Sequence, residues 1–119
     1  MRLFTTLVFD QIVRGAAEVA SPPEFNELLG KAYEIYYEVE VEESSGTTQS
    51  ITVKHKMSNS GKGFLNHVTV INAASTAAPP YRGGGAVTGP LGRLGQVGVT
   101  LGHADAVSRV RIWATGWSR

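Results

Sequence analysis

The chain of 119 residues has room for one domain, because a second hydrophobic core would be too small to stabilise itself. Hydrophobic residues make up 42% of the sequence and charged residues 18%, a composition that predicts a folded chain and excludes intrinsic disorder. The chain has no cysteine, which excludes disulfides, thiolate metal sites and cysteine nucleophiles, and its net charge of +1 argues against binding polyanions through bulk electrostatics.

The two signs of charge are unevenly distributed along the chain. Residues 18–43 carry eight carboxylates and one lysine, whereas residues 44–119 carry eight basic residues and one aspartate. These two parts can neutralise each other between neighbouring strands of one fold, or between copies of the chain. We expect the first arrangement.

The N-terminal segment, residues 1–20, is predicted to be an arm or a first strand. Its apolar run is interrupted by Asp10 and Arg14 too early for a signal peptide. No stretch approaches the roughly 20 apolar residues of a membrane-spanning helix, so we expect no membrane anchor. The segment is predicted to pack on another subunit or a sheet edge, and deleting residues 2–13 is expected to abolish assembly without unfolding the domain. Its candidate interface residues are Leu3, Phe4, Val8 and Phe9.

A short helix is predicted near residues 22–29, with Ser21 as its N-cap and Gly30 at its end. In residues 33–42, apolar side chains at odd positions alternate with polar ones at even positions, a period that predicts a strand with one buried face. Residues 51–57 alternate in the same way after a Ser-Ser-Gly-Thr turn, which predicts an antiparallel hairpin with odd positions facing odd ones. Its solvent face would pair two groups of charges, Glu38, Glu40 and Glu42 with Lys54 and Lys56.

Three more strands are predicted over residues 64–71, 96–101 and 108–117. The glycines and prolines of residues 73–95 predict a long surface connection with room for one short edge strand, and residues 77–95 are predicted to be a mobile loop. Five to seven short antiparallel strands predict an all-β sandwich of jelly-roll or immunoglobulin-like type, with residues 21–119 as its single domain.

Catalytic and metal chemistry have little support in the sequence. His55, His67 and His103 lie in separate segments without metal-ligand spacing, so we expect no metal and no cofactor. His55 shares the apolar positions of its strand and is predicted to be half-buried and hydrogen-bonded. The glutamate row is predicted to be a solvated strand face, and the chain lacks a nucleophile elbow, so we expect no enzyme.

Near the C-terminus, Arg111, Trp113 and Trp117 share one face of the last predicted strand. Tryptophan and arginine are enriched in protein interfaces, and aromatic rings also stack on sugars. These three residues are therefore candidates for an interface.

Three segments of the sequence, in this order, resemble segments of a known class of protein module. They are YEIYYEVEVEESSGTTQSITVKHKMSNSGKGF, GPLGRLGQVGVTLG and SRVRIWATG. Over residues 33–116 the chain resembles small β-sandwich modules of structural proteins in tailed-phage virions, where similar segments form a strand–turn–strand unit, the entry to a late strand and the closing strand. The resemblance implies a non-enzymatic bacteriophage capsid decoration, coat or tail protein that forms homo-oligomers or binds a larger shell. It implies a location in the virion, or in the cytoplasm before assembly.

Two other functions stay open. A carbohydrate-binding module would need an exposed aromatic platform of Trp113, Trp117 and Tyr81. A small RNA-packaging coat protein would need its basic residues together on one concave face, and the candidates are Lys54, Lys56, Arg109 and Arg111.

Overall fold

A computed structural model describes residues 2–46, 50–76, 79–89 and 91–118. Within these residues, strands β1 to β8 form two antiparallel sheets of four strands each, in the order β1-β8-β3-β6 (sheet A) and β2-β7-β4-β5 (sheet B). A short 3-10 turn, Pro23–Phe25, leads into helix α1, Asn26–Lys31. The strands are β1 (Arg2–Arg14), β2 (Val19–Ala20), β3 (Ala32–Ser45), β4 (Ser50–Ser58), β5 (Leu65–Ser75), β6 (Tyr81–Val87), β7 (Leu94–Leu101) and β8 (Val107–Ser118).

The strand order is that of a jelly roll. The first four strands pair with the last four in reverse order: β1 with β8, β2 with β7, β3 with β6, and β4 with β5. Two further pairings, β3 with β8 and β4 with β7, roll this long antiparallel ribbon into two sheets. The predicted all-β sandwich is confirmed, and of its two variants the strand order matches the jelly roll.

The core lies between the two sheets and is built from alternating strand positions. On β3, Ile35, Tyr37, Val39 and Val41 are fully buried, whereas Tyr33 remains 54% exposed. The same alternation on β8, which flanks β3, and on β7 of the opposite sheet completes the core. Val110, Ile112 and Ala114 come from β8, and Val97, Val99 and Leu101 from β7. Burial of these apolar side chains is the main term that stabilises the sandwich.

The predicted hairpin between residues 33–42 and 51–57 is wrong. These segments are β3 and β4, and they lie in opposite sheets. Both turn their odd-numbered side chains into the same core, so their alternation is identical whether they are neighbours in one sheet or face each other across the core. The glutamates of β3 therefore do not pair with Lys54 and Lys56.

The loop predicted over residues 77–95 contains a strand. Residues 81–87 form β6 at the edge of sheet A, paired with β3, while positions 77, 78 and 90 lie outside the described residues. A Cβ on Gly84 would stand 2.4 Å from the Tyr37 carbonyl oxygen and 2.8 Å from the Tyr36 hydroxyl. Glycine is present here because the Tyr37 carbonyl and the Tyr36 ring of β3 lie against this position, and not because the chain turns.

The predicted helix is present, but its boundary residues have other roles. The backbone N–H of Ser21 donates to the Val97 carbonyl at 2.8 Å, and its hydroxyl accepts from the Val97 N–H at 3.0 Å. Ser21 thus continues the pairing of β2 with β7 and is not an N-cap. Gly30 lies inside α1, where a Cβ would stand 2.2 Å from the Arg93 carbonyl oxygen, so this glycine lets the helix pack against the start of β7.

The N-terminal segment is part of the sandwich itself. A register shift between Leu7 and Phe9 lets two consecutive residues, Val8 and Phe9, enter the core, where Val13 joins them. Deleting residues 2–13 would remove an edge strand and three buried side chains. With this packing we expect the deletion to unfold the domain, in contrast to the expectation from the sequence.

Candidate functional site on the outer face of sheet A

The registers of sheet A bring its outward side chains into cross-strand rows. Three rows at one end are largely apolar or aromatic, and the rows beyond them are charged. The first three rows are Leu3–Trp117–Glu34, Thr5–Thr115–Tyr36–Ala86 and Leu7–Trp113–Glu38–Gly84. The next two are Asp10–Arg111–Glu40–Arg82 and Ile12–Arg109–Glu43.

Four large side chains, Leu3, Tyr36, Trp113 and Trp117, form what we call the aromatic patch. Their exposed fractions are 55%, 52%, 37% and 42%. Because such side chains have areas of roughly 150–250 Å² each, the exposed part of the patch is on the order of 400 Å². Apolar patches of about 300–600 Å² are the largest on ordinary monomers and often mark a binding surface.

Tyr36 lies at the centre of this end of the face, over Gly84 of β6. A shallow hollow opens on each side of its ring. One, of about 230 Å³, is lined by Leu3, Glu34, Tyr36, Ala86, Thr115, Gly116 and Trp117. The other, of about 310 Å³, is lined by Tyr36, Glu38, Arg82, Gly83 and Gly84.

The charged side chains of sheet A form a network of ion pairs that includes Glu38 of the third row and Glu42 at the irregularity of β3. We call this network the charged patch; its members are Asp10, Glu38, Glu40, Glu42, Arg82, Arg109 and Arg111. Arg111 contacts Glu42 at 2.6 Å and Asp10 at 3.4 Å. Arg109 lies 3.2 Å from Glu42 and 3.6 Å from Asp10. Arg82 contacts Glu40 at 3.4 Å and hydrogen-bonds Glu38, which raises the pKa of Arg82. Acidic and basic parts of the sequence thus meet inside one fold, as predicted, but through these arginines.

Arg111→Glu is expected to destabilise the fold modestly, because it removes two ion pairs and places a carboxylate beside Asp10 and Glu42. Exposed pairs contribute about 0.2–1 kcal/mol each, so we expect a loss of roughly 1–2 kcal/mol at low salt. The loss should shrink in about 1 M NaCl, where charges are screened within a few ångströms. Urea unfolding measures it, with exposed Lys62→Glu as the control; an equal loss in both variants would contradict the network.

The predicted interface residues divide into three groups. Trp113 and Trp117 are exposed and Leu3 lies beside them, so the last and first strands meet in the aromatic patch. Arg111 shares their strand face but belongs to the charged patch. Val8 and Phe9 are buried in the chain's own core, so their prediction as interface residues is wrong. Phe4 is packed partly against the core, and its role at an interface stays a prediction.

Tyr36 is a member of the patch that sequence reasoning missed. It stands at an even position among glutamates, on the solvent face of its strand. A large aromatic residue at such a position could have indicated a binding surface. Tyr81, expected in the aromatic platform, instead packs partly buried against the core.

The four basic residues that an RNA-packaging protein would gather on one face are separated. Lys54 and Lys56 lie on β4 in sheet B, whereas Arg109 and Arg111 lie on β8 in sheet A. Lys56 forms an ion pair with Glu18, and both arginines pair with carboxylates. The arrangement gives the RNA-packaging alternative no concave basic face in the part of the chain that the structure describes.

A second polar cluster lies inside the core. The Tyr37 hydroxyl of sheet A and the His55 Nδ1 of sheet B are 2.7 Å apart, and the rings of His55 and His67 meet edge to face with centroids 5.5 Å apart. Burial lowers the pKa of His55 to about 4; the Leu91 backbone opposes this shift and His67 adds to it. The predicted hydrogen bond of His55 is confirmed, and the ring is fully buried instead of half-buried.

No three His, Cys, Asp or Glu side chains within the described ranges come together as a metal site would require. None of the helical segments described by the structure is long and apolar enough to cross a membrane. No protein-family model, no curated protein and no solved structure matches the chain.

Proposed function

We propose that this protein is a non-enzymatic structural component of virion type, which assembles with copies of itself or with a larger shell through the outer face of sheet A. The aromatic patch is the observation that carries the proposal. Sheet A already packs its inner face against sheet B, yet it also exposes two tryptophans, a tyrosine and a leucine on its outer face. Exposed clusters of this kind are typical of association surfaces.

The architecture supports the same proposal. Eight-stranded jelly rolls occur in viral capsid domains, and also in lectins and cupins. Because one fold serves several functions, the surface must discriminate between them, and a patch bordered by internally paired charges suits a protein partner. In this proposal the protein works in a virion, or in the cytoplasm before assembly.

Replacing Trp113 and Trp117 together with serine is expected to convert the assembled protein into a folded monomer. Central tryptophans often contribute at least about 2 kcal/mol each to an interface, so their joint loss should weaken association more than a hundredfold. Sedimentation velocity measures the size, and circular dichroism checks the fold. Leu65→Ser is the matched control, because Leu65 is 76% exposed and begins β5 in the opposite sheet. A double variant that assembles as the wild type does would contradict the proposal, and a monomeric wild type would contradict its self-assembling form.

A carbohydrate-binding module is the second candidate, and the position of Tyr36 favours it. Its ring borders a hollow that also offers the Glu34 carboxylate and the Thr115 hydroxyl as hydrogen-bonding groups for a sugar. This function predicts a monomer that binds glycans on an array and loses binding in Tyr36→Ala. Wild-type protein that assembles and leaves the array unlabelled would argue against it.

A further inference from the structure

We infer that the occupant of the aromatic patch is the same patch of a second copy, so that two sandwiches pack face to face about a two-fold axis. This inference rests on the proposed function and names the partner and the geometry of the first contact.

The charges of this face favour a partner that leaves the ion pairs intact. Each of Arg82, Arg109 and Arg111 lies within 4 Å of two carboxylates on the same face. A nucleic acid would have to displace carboxylates from these arginines in order to bind them. A second copy leaves the ion pairs intact and brings an apolar patch that also has to be covered, although each face carries six carboxylates to three arginines.

The shape of the patch is complementary to the same patch of a second copy. Tyr36 stands between two hollows of about 230 and 310 Å³, and Trp117 lines the first of them. In a two-fold pairing, a ring that projects from one copy can enter a hollow of the other, and the reverse contact follows from symmetry. Flat sheet faces of this kind pack at about 10 Å separation in ordinary sandwiches.

The area of the face is sufficient for a reversible dimer. Four strands about 4.8 Å apart, over the ten residues from Leu3 to Ile12 at roughly 3.3 Å each, give a face on the order of 600 Å². Two copies would bury about 1,200 Å² in total, the lower limit for stable protein interfaces. The geometry therefore points to a weak dimer that larger assembly would reinforce.

Because the chain has no cysteine, a cysteine introduced by substitution is the only thiol that a cross-linker can react with. Thr5, Thr115 and Ala86 lie in one row across sheet A, and each would be replaced singly by cysteine. The control is Thr69→Cys, at an exposed position of β5 in sheet B. Each variant would be treated with a short bis-maleimide at a concentration where sedimentation shows association.

We expect covalent dimers from at least one variant of the sheet A row and none from Thr69→Cys. Cross-links that form only when a sheet A variant is mixed with Thr69→Cys would show head-to-tail contacts; they would overturn the two-fold dimer and leave the proposed function standing. Association without any cross-link from the row would also overturn the dimer. A wild-type chain that remains monomeric at all concentrations would overturn both the dimer and the self-assembling form of the proposed function.

Discussion

Acidification from pH 7 to pH 4 is expected to reduce the free energy of unfolding by about 3 kcal/mol through His55 alone. The pKa of this buried histidine is about 4 in the fold, against an ordinary value of 6.5 that applies to the unfolded chain. Between these values the unfolded chain binds the proton more readily than the folded one. The stability is therefore fully present above about pH 6.5, falls as the pH drops through this window, and is lost below the folded pKa.

The contribution of His55 can be separated from that of the carboxylates by comparison with His55→Gln. This variant keeps a polar side chain near the Tyr37 hydroxyl but has no titrating ring, so its free energy of unfolding should change less between pH 7 and pH 4.5. Urea unfolding at several pH values gives the pH dependence of the free energy of unfolding for the variant and for the wild type. Leu65→Ser is the control, because Leu65 is exposed and the change neither adds nor removes a titrating group, so it should leave the pH dependence of the wild type unchanged. Equal slopes for His55→Gln and the wild type would contradict the assignment.

Gly116→Ala is expected to destabilise the protein by at least about 3 kcal/mol, or to prevent folding. A Cβ at this position would stand 2.2 Å from the Glu34 carbonyl oxygen and 3.2 Å from the Phe4 ring. Gly116 lies on β8 between β1 and β3, so the backbone cannot shift without breaking a ladder on either side. The neighbouring Thr115→Ala, which points outward, should cost less than about 1 kcal/mol.

Thermal unfolding and urea titration of these two variants measure the difference. A Gly116→Ala protein as stable as the wild type would mean that β3 and β8 are further apart than the structure places them. If the variant does not fold, recovery of soluble protein from Thr115→Ala under the same expression conditions serves as the comparison.

The fold class was predictable from the sequence, but the neighbours of each strand were not. Alternation over residues 33–42 shows which side chains of β3 enter a core, and the structure confirms this for Ile35 through Val41. It carries no information on whether β4 lies beside β3 or opposite it. That depends on the rolled ribbon, in which β3 takes β6 and β8 as partners from distant parts of the chain.

The candidate site was predictable only where a single strand carried it. Trp113 and Trp117 both lie at odd-numbered positions of β8, so their location on one face of the strand was predictable from the sequence. Leu3 and Tyr36 join them only through the register of β8 with β1 and β3, which no local pattern encodes. An edge strand in the glycine-rich connection was considered from the sequence, but its bounds were not predictable, because Gly84 indicates a loop in sequence, whereas in the fold it makes room for Tyr36.

Oxidative footprinting of the wild-type protein would test the central claim that the outer face of sheet A is the association surface. Hydroxyl radicals would label the protein at concentrations below and above the assembly transition, and mass spectrometry would give the rate at each side chain. We expect Tyr36, Trp113 and Trp117 to react several-fold more slowly in the assembled protein, while exposed Leu65 and His103 keep their rates. Assembly that leaves the two tryptophans as reactive as in the monomer would contradict the claim.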